Sequence, residues 1–215
     1  MFELALPSSV KRIQEGAFLG CTALTSVALP EGLALVGKSM FSGCVSLESV
    51  SIPSSVKSIG PSAFSGCAGL GEVAIAEGVT SIGDAAFSDC VSLESISIPS
   101  SLENLGQSAF SNCICLTSLT LADGVNSISA EAFSGCSSLL SVSIPSSVES
   151  IGEWAFSNCT GLQGVTIASG VSSIGQSAFS GCSSLTSVVI PGTVERIEDR
   201  TFAECVRLEQ PEKAD

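Results

Sequence analysis

The chain has 215 residues, of which 45% are apolar, and its formal net charge is −13. The apolar fraction excludes a disordered chain, and the absence of His excludes chemistry that depends on imidazole. Between Lys57 and Arg196 there are eleven acidic residues and no basic one, a charge pattern that repels nucleic acid and anionic lipid.

The N-terminal segment, MFELALPSSVKR, begins a predicted strand at Leu4, almost at once. It lacks the basic start and long apolar stretch of a secretory signal, and no apolar run in the chain exceeds four residues. We therefore expect no membrane insertion and no nucleic-acid partner. The abrupt start is typical of an excerpt from a longer protein.

A 23-residue repeat then runs through the chain without insertion or deletion, in the form C-x-x-L-x-x-V-x-I-P-x-x-V-x-x-I-G-x-x-A-F-x-x. One unit is too small to offset the entropy of ordering its backbone, so the units must stack. Two structural ladders mark the repeat. They are Phe18, Phe41, Phe64, Phe87, Phe110, Phe133, Phe156, Phe179 and Phe202, and Cys21, Cys44, Cys67, Cys90, Cys113, Cys136, Cys159, Cys182 and Cys205.

Each unit begins with a predicted strand. Alternation at Val50–Ile52 indicates a strand with one buried face, and equivalent triplets begin at Leu4, Val27, Val73, Ile96, Leu119, Val142, Val165 and Val188. Proline often follows and ends the sheet ladder, because it has no N–H. The SAFSG stretch before the cysteine then predicts a single helical turn, ended by a residue type that tolerates a positive φ. Successive strands should pair in parallel.

A second period of 46 residues lies above the first. PSS occurs at 7–9, 53–55, 99–101 and 145–147, while the intervening turns end in Gly32, Gly78, Gly124 and Gly170. This indicates duplication of a two-coil unit with alternating turn chemistry. At the C-terminus the repeat becomes charged, so we predict one domain over 1–208, with a polar cap from about 192 and a polar tail over 209–215.

The cysteine ladder is predicted to be structural. Equal positions on stacked coils lie about 4.8 Å apart with parallel side chains, which fits neither a disulfide nor a tetrahedral zinc site. We expect no disulfides, no metal and no cofactor, and a column of buried thiols that pack as small apolar residues. Cys115 lies off this ladder, and is either a neutral exposed substitution or a cross-link in a dimer.

Two further patterns have a functional and a plain interpretation. Glu31, Glu77 and Asp123 recur on every second coil, too far apart to share a calcium ion, so we expect a solvated flank. The segment NCT at 158–160 is formally a glycosylation acceptor, but its middle residue is a ladder cysteine, and we expect it to be unoccupied.

The outward face of the sheet is the predicted binding surface. Its residues are small and mostly hydroxylated, without the Trp, Tyr and Arg anchors of tight interfaces. They are Ser49, Ser51, Glu72, Ser95, Ser97, Ser118, Thr120, Ser141, Ser143, Thr166 and Ser187. Trp154 lies on the return segment, where it is either an anchor for a partner or an isolated exposed aromatic.

The pattern L-x-x-V-x-I-P-x-x-V-x-x-I-G-x-x-A-F-x-x-C, from residue 4 to about 208, resembles BspA-type leucine-rich repeats, although the Asn that usually follows the strand is missing. The resemblance implies an α/β fold, a right-handed curved solenoid of about nine coils. It places a parallel sheet on the concave side and short helical or 3-10 turns on the convex side. It also implies adhesion, an extracellular or cell-surface location, and no catalytic residues to carry over; the cytoplasm is the alternative location.

The leading hypothesis is therefore a non-enzymatic binding or adhesion module. Its partner would be a protein, such as a host matrix protein or another cell's surface protein, or a glycan, and the chain would be a monomer. The alternatives are a rigid spacer within a larger protein, and binding of a glycan, ice or another lattice through the regular Ser/Thr array. A catalytic site is not expected, because a repeat does not bring unlike groups together at one place.

Overall fold

The computed structural model describes residues 2–209 and 212–213, which form a solenoid of about nine stacked coils. Eight coils each contribute one longer and one shorter strand, and among the described residues one further strand extends the series of longer strands at each end. The longer strands are β1 (Phe2–Ala5), β2 (Leu24–Ala28), β4 (Ser49–Ile52), β6 (Glu72–Ile75), β8 (Ser95–Ile98), β10 (Ser118–Leu121), β12 (Ser141–Ile144), β14 (Gly164–Ile167), β16 (Ser187–Ile190) and β18 (Glu212–Lys213). The shorter strands are β3 (Leu35–Val36), β5 (Ser58–Ile59), β7 (Ser81–Ile82), β9 (Asn104–Leu105), β11 (Ser127–Ile128), β13 (Ser150–Ile151), β15 (Ser173–Ile174) and β17 (Arg196–Ile197).

Successive strands of each kind pair in parallel, with a register of 23 residues. Val50 of β4 lies opposite Val73 of β6, and Ser58 of β5 lies opposite Ser81 of β7. The parallel stacking predicted from the repeat is confirmed. Each series is divided once: the longer strands form the sheets β1-β2-β4-β6-β8-β10 and β12-β14-β16-β18, and the shorter ones form β3-β5-β7-β9 and β11-β13-β15-β17.

The core lies between the strands and the return segment. Val50 and Ile52 are buried while Ser49 and Ser51 of the same strand are exposed, which is the two-residue alternation expected of a strand with one inner face. The phenylalanine rings form one stacked column, with neighbouring centroids 5.1–5.5 Å apart. Seven of these rings are fully buried, and Phe18 and Phe202 of the outermost coils are partly buried.

The predicted helical turns are wrong. The return segment consists of turns, and the described residues contain no α- or 3-10 helix. The reason is that alternate N–H groups bond between coils: Phe41 N donates to Ala63 O at 2.8 Å, whereas Cys44 N donates back to Phe41 O at 3.1 Å. A helix needs consecutive bonds within one segment, so this alternation excludes it.

Positive φ angles enforce this alternation at two positions in each coil. The residue before the ladder cysteine has the predicted positive φ, for example 72° at Gly43, and even Glu204 adopts 62°. A second column, two residues before the phenylalanine, was not predicted. It includes Ser39, Ser62, Ala85, Ser108, Glu131, Trp154, Ser177 and Arg200, with φ between 51° and 58°. Left-handed residues on both sides of the phenylalanine interrupt the helical path of the backbone.

The 46-residue period has a hydrogen-bonding counterpart. Ala76 N donates to Ile52 O at 3.1 Å, whereas Pro53 has no N–H to give to the preceding coil. At the proline junctions the second serine of PSS compensates: Gly32 N donates to Ser55 Oγ at 3.0 Å, and this hydroxyl donates to Leu33 O at 2.9 Å. The same arrangement recurs at Ser101, so the turn chemistry alternates as predicted.

Candidate functional site

The outward face of the longer strands is an open array of small side chains. All eleven residues predicted for this face are exposed, and the sheet register places equivalent ones side by side, as with Ser97 and Thr120. Glu72 is the only charged residue among them. The alternation that buries Val50 and Ile52 therefore turns Ser49 and Ser51 toward solvent.

The hydroxyl groups of this face differ in their hydrogen bonding from those serines that join one coil to the next. Ser81 Oγ donates to Ser58 Oγ at 2.8 Å, and Ser101 Oγ donates to Val79 O at 2.8 Å. Within the described residues, the predicted sheet-face hydroxyls make no side-chain hydrogen bond to the protein. Their donors and acceptors face solvent and are available to a ligand.

The surface is shallow. A depression is lined by Ser26, Ala28, Ser49 and Ser51, between β2 and β4. Apolar side chains on this face are few, with Val189 of β16 exposed near its C-terminal end. Such a face offers many small polar contacts but no deep apolar pocket for one large side chain.

Seven of the nine ladder cysteines are buried, and Cys21 and Cys205 at the two ends are partly buried. The ladder also forms hydrogen bonds that the repeat pattern did not reveal. Each thiol from Cys44 to Cys205 donates to the phenylalanine carbonyl of the preceding coil, with Sγ–O distances of 3.1–3.3 Å. Burial raises the pKa of Cys67 and of Cys136 to about 12. A thiol that holds its proton this firmly is a poor nucleophile and a poor metal ligand.

Cys115 is exposed and lies outside this ladder, next to Ile114, which is also exposed. All ten cysteines are free thiols. Whether Cys115 is a neutral substitution or a cross-linking residue stays an open prediction.

Glu77 has a role that the sequence did not indicate. Its carboxylate accepts hydrogen bonds from Ser100 N, Ser100 Oγ and Ser101 N of the next coil, at 3.1–3.2 Å. The Ser100 backbone N–H is the main cause of its lowered pKa. Glu77 therefore stabilises the PSS turn of the next coil. Within the described part of the chain, no group of three or more acidic or cysteine side chains could hold a metal ion.

Two other predicted positions lie on the return segment. Trp154 is 40% exposed and has a φ of 51°, an unusual backbone conformation for a bulky residue. Asn158 is exposed whereas Cys159, the middle residue of the glycosylation pattern, is buried. The role of Trp154 and the occupancy of Asn158 remain predictions. No helix among the described residues is long and apolar enough to span a membrane.

Comparisons with known proteins agree with this architecture. A family model described as BspA type leucine rich repeat region, in six copies, matches residues 1–117 and 103–212. A comparison with curated proteins finds no match.

Three solved structures illustrate the similarity. A leucine rich repeat protein of T. pallidum is 32% identical, with a TM-score of 0.61, and the match covers 96% of this chain and 78% of that one. A leucine-rich repeat protein from Eubacterium ventriosum is 25% identical, with a TM-score of 0.76, covering 94% of this chain and 58% of that one. A leucine rich cell surface protein from Faecalibacterium prausnitzii is 26% identical, with a TM-score of 0.50, covering 94% and 69%.

Proposed function

Since the chain belongs to the family of BspA type leucine rich repeat regions, we propose that it is a non-enzymatic binding module whose partner lies on the outward face of the longer strands. The observation that carries the proposal is the array of exposed hydroxyls without hydrogen-bond partners in the protein, on Ser95, Ser97, Ser118 and Thr120 among others. The sheet register places these hydroxyls side by side on adjacent strands, so a ligand that lies across the coils can bond to several of them at once.

The partner we propose is an extended protein or glycan at a cell surface. One solved relative is described as a cell surface protein, which supports that location for this chain. The face has no Trp, Tyr or Arg anchor, so affinity must come from many weak contacts along several coils. We further propose that the chain is a monomer and that residues 1–208 act as one domain with a polar cap.

We also propose that the solenoid is right-handed and curved, with the longer strands on its concave side. Curvature would bring the two ends of the hydroxyl array toward a common partner. Small side chains suit a concave face, because inward curvature leaves less room for each residue.

The test introduces positive charge on this face. Ser95→Lys with Ser118→Lys places two cations on adjacent strands, and both positions are exposed, so the fold should be unaffected. We expect loss of retention on a panel of immobilised extracellular matrix proteins and glycans. The matched control, Ser54→Lys with Ser146→Lys, adds the same charge at exposed turn residues away from this face. If no member of the panel retains the wild-type chain, the proposal is wrong.

The second candidate is a rigid spacer within a larger protein. It is favoured by the regular 23-residue register, which gives an extended body of stacked coils. For a spacer, charge on the sheet face should leave partner binding by the full-length protein unchanged, whereas deletion of one coil should alter its reach.

A further inference from the structure

One coil junction differs from the others. Between residues 104–121 and 127–144 both sheets are interrupted: β10 is not a hydrogen-bonded neighbour of β12, and β9 is not one of β11, among the described strands. The adjacent pairs are complete, since β8 pairs with β10 over four residues and β12 with β14 over four. At the other PSS junctions β2 pairs with β4, and β6 with β8, at a single residue, so the sheet of longer strands is weakened at each of them and, among the described strands, interrupted only at this one. A shallow groove on the short-strand flank runs from Pro61 across Gly83 and Gly106 and reaches this junction at Ser129 and Ala130.

The opposite side of the same junction is intact. Phe110 N donates to Ala132 O at 2.8 Å, and Asn112 N donates to Ser134 O at 2.7 Å. Cys136 Sγ donates to Phe110 O at 3.3 Å, and the rings of Phe110 and Phe133 are stacked 5.5 Å apart. The two coils are therefore joined along the return segment and separated along the strands.

Ser129 accounts for the separation on the short-strand flank. The equivalent residue of the other inner coils is glycine, namely Gly37, Gly60, Gly83, Gly106, Gly152 and Gly175. At all of these except Gly37 an added Cβ would clash with the backbone of the preceding coil, at 2.6–2.7 Å for Gly60, Gly83, Gly152 and Gly175 and closer for Gly106. Ser129 carries that Cβ, so the preceding coil cannot approach as closely.

The hydrogen bonding at Ser129 changes accordingly. Gly106 N donates to Ile82 O at 2.7 Å, and Gly152 N donates to Ile128 O at 2.8 Å. At Ser129 the hydroxyl, instead of the backbone N–H, donates to Leu105 O. Glu198 also carries a Cβ at this position, yet Glu198 N still donates to Ile174 O at 3.0 Å. That residue lies in an outermost coil of this column, which is free to shift.

Two leucines in the coil before the junction also weaken the pairing of the longer strands. Leu119 and Leu121 occupy inward positions that hold Val142 and Ile144 in the next coil. They are 9% and 8% exposed, against 3% and 2% for those two residues, and Val73 of β6, which pairs with β4 over four residues, is 7% exposed. Leucine also fits a strand less well than a β-branched residue.

We propose that this junction is a hinge that divides the solenoid into two blocks, residues 2–121 and 126–209, and that opens on the strand side about the return segment. The sheet face crosses the hinge between Ser118 and Ser141. Bending there changes the spacing between the two halves of the hydroxyl array, so a partner that spans both halves can adjust the curvature of the face.

Hydrogen exchange of the intact chain, read by mass spectrometry, tests the hinge. Amides of β11 and β12 should exchange at least about tenfold faster than the equivalent amides of β13 and β14. In Ser129→Gly we expect this difference to shrink, because the coils can then close. A glycine by itself increases backbone freedom, so in a solenoid without a hinge Ser129→Gly should make β11 and β12 exchange faster, not slower. Ser169→Gly, in an exposed turn, is the matched control.

A distance measurement on folded protein gives an independent test. In a Cys115→Ser background, spin labels at Ser97→Cys and Ser143→Cys span the hinge, and labels at Ser51→Cys and Ser97→Cys do not. Both pairs are 46 residues apart on the same face. We expect a broader distance distribution for the first pair, which narrows in Ser129→Gly. Equal distributions together with uniform exchange would overturn the hinge.

Discussion

The Cys67 thiol is held by two contacts at once, because it is buried beside the phenylalanine column and donates to Phe41 O at 3.1 Å. We expect Cys67→Ala to lower the free energy of unfolding by about 1 kcal/mol, through lost packing and the lost weak hydrogen bond. Phe64→Ala, in the same coil, should cost on the order of 3–5 kcal/mol. Urea unfolding followed by circular dichroism measures both. If Cys67→Ala lowered the unfolding free energy by much more than about 1 kcal/mol, the cysteine ladder would have more than a packing role.

Thiol reactivity should separate Cys115 from the ladder. Cys115 is exposed, whereas seven ladder thiols are buried. Titration with a chromogenic disulfide at pH 8 should show one fast thiol, with the partly buried Cys21 and Cys205 slower and the others reacting only after unfolding. Cys115→Ser should remove the fast phase. A wild-type dimer on a non-reducing gel that is absent from Cys115→Ser would favour the cross-link.

At the scale of elements, the Glu77 carboxylate stabilises the turn of the next coil. Its lowered pKa means that this stabilisation is present above the pKa of an unfolded-chain Glu and is lost as the pH falls through the native pKa. Glu77→Gln should therefore slightly lower the melting temperature at neutral pH, and the difference from wild type should vanish in acid.

Glu31→Gln is the control, because Glu31 occupies the equivalent turn two coils earlier and accepts no such hydrogen bonds among the described residues. Equal effects of the two variants at neutral pH would show that charge on this flank, and not the bonds to Ser100 and Ser101, is responsible.

The strands and the return segments differ in how far the sequence could predict them. Strand positions, core residues and the exposed face follow from a two-residue alternation that can be counted, as at Val50–Ile52. The return segment was predicted as helical because SAFSG with Pro61 satisfies local rules. Its conformation depends instead on bonds such as Phe41 N to Ala63 O, between residues 22 apart, which local propensity does not contain.

In the candidate site, too, the sequence predicts positions but not the contacts between coils. The hydroxyl array could be located from the alternation, but the freedom of its hydroxyl groups required the hydrogen-bond partners of Ser58, Ser81 and Ser101 for comparison. Ser129 could be recognised as a departure from a glycine column. Its consequence depends on how close the backbones of neighbouring coils lie at the other glycines, where an added Cβ would clash, and a sequence pattern gives no distance.

For the whole molecule, stacking makes stability a sum of terms between neighbouring coils. Nearly every coil presents the same phenylalanine, cysteine and aliphatic positions, so an alteration in one coil is felt mainly by its two neighbours. The junction between residues 104–121 and 127–144 is then the place where the two blocks are least strongly coupled, because among the described strands it is the one junction at which both strand series are interrupted. It is itself a proline junction, at Pro145, and its PSS turn still joins the coils: Gly124 N donates to Ser147 Oγ at 3.3 Å, and this hydroxyl donates to Val125 O at 2.8 Å.

The cysteine ladder should make the whole solenoid sensitive to alkaline pH. Burial raises the pKa of six ladder thiols, namely Cys44, Cys67, Cys90, Cys113, Cys136 and Cys159. Their stabilisation is fully present below the pKa of an unfolded thiol, about 8.5, and is lost as the pH rises toward the native value, which is about 12 for Cys136. Each such thiol steepens the fall in unfolding free energy by about 1.4 kcal/mol per pH unit in this window.

Urea unfolding between pH 7 and pH 10.5, with a phosphine reductant present, measures this slope. Cys136→Ala should cost about 1 kcal/mol at pH 7 and make the slope shallower by about 1.4 kcal/mol per pH unit, so that the variant approaches and then passes the wild type in stability as the pH rises. Cys115→Ala removes a thiol that solvent surrounds in both states, and should leave the slope unchanged. A wild-type slope that Cys136→Ala does not alter would mean that other groups cause the alkaline loss.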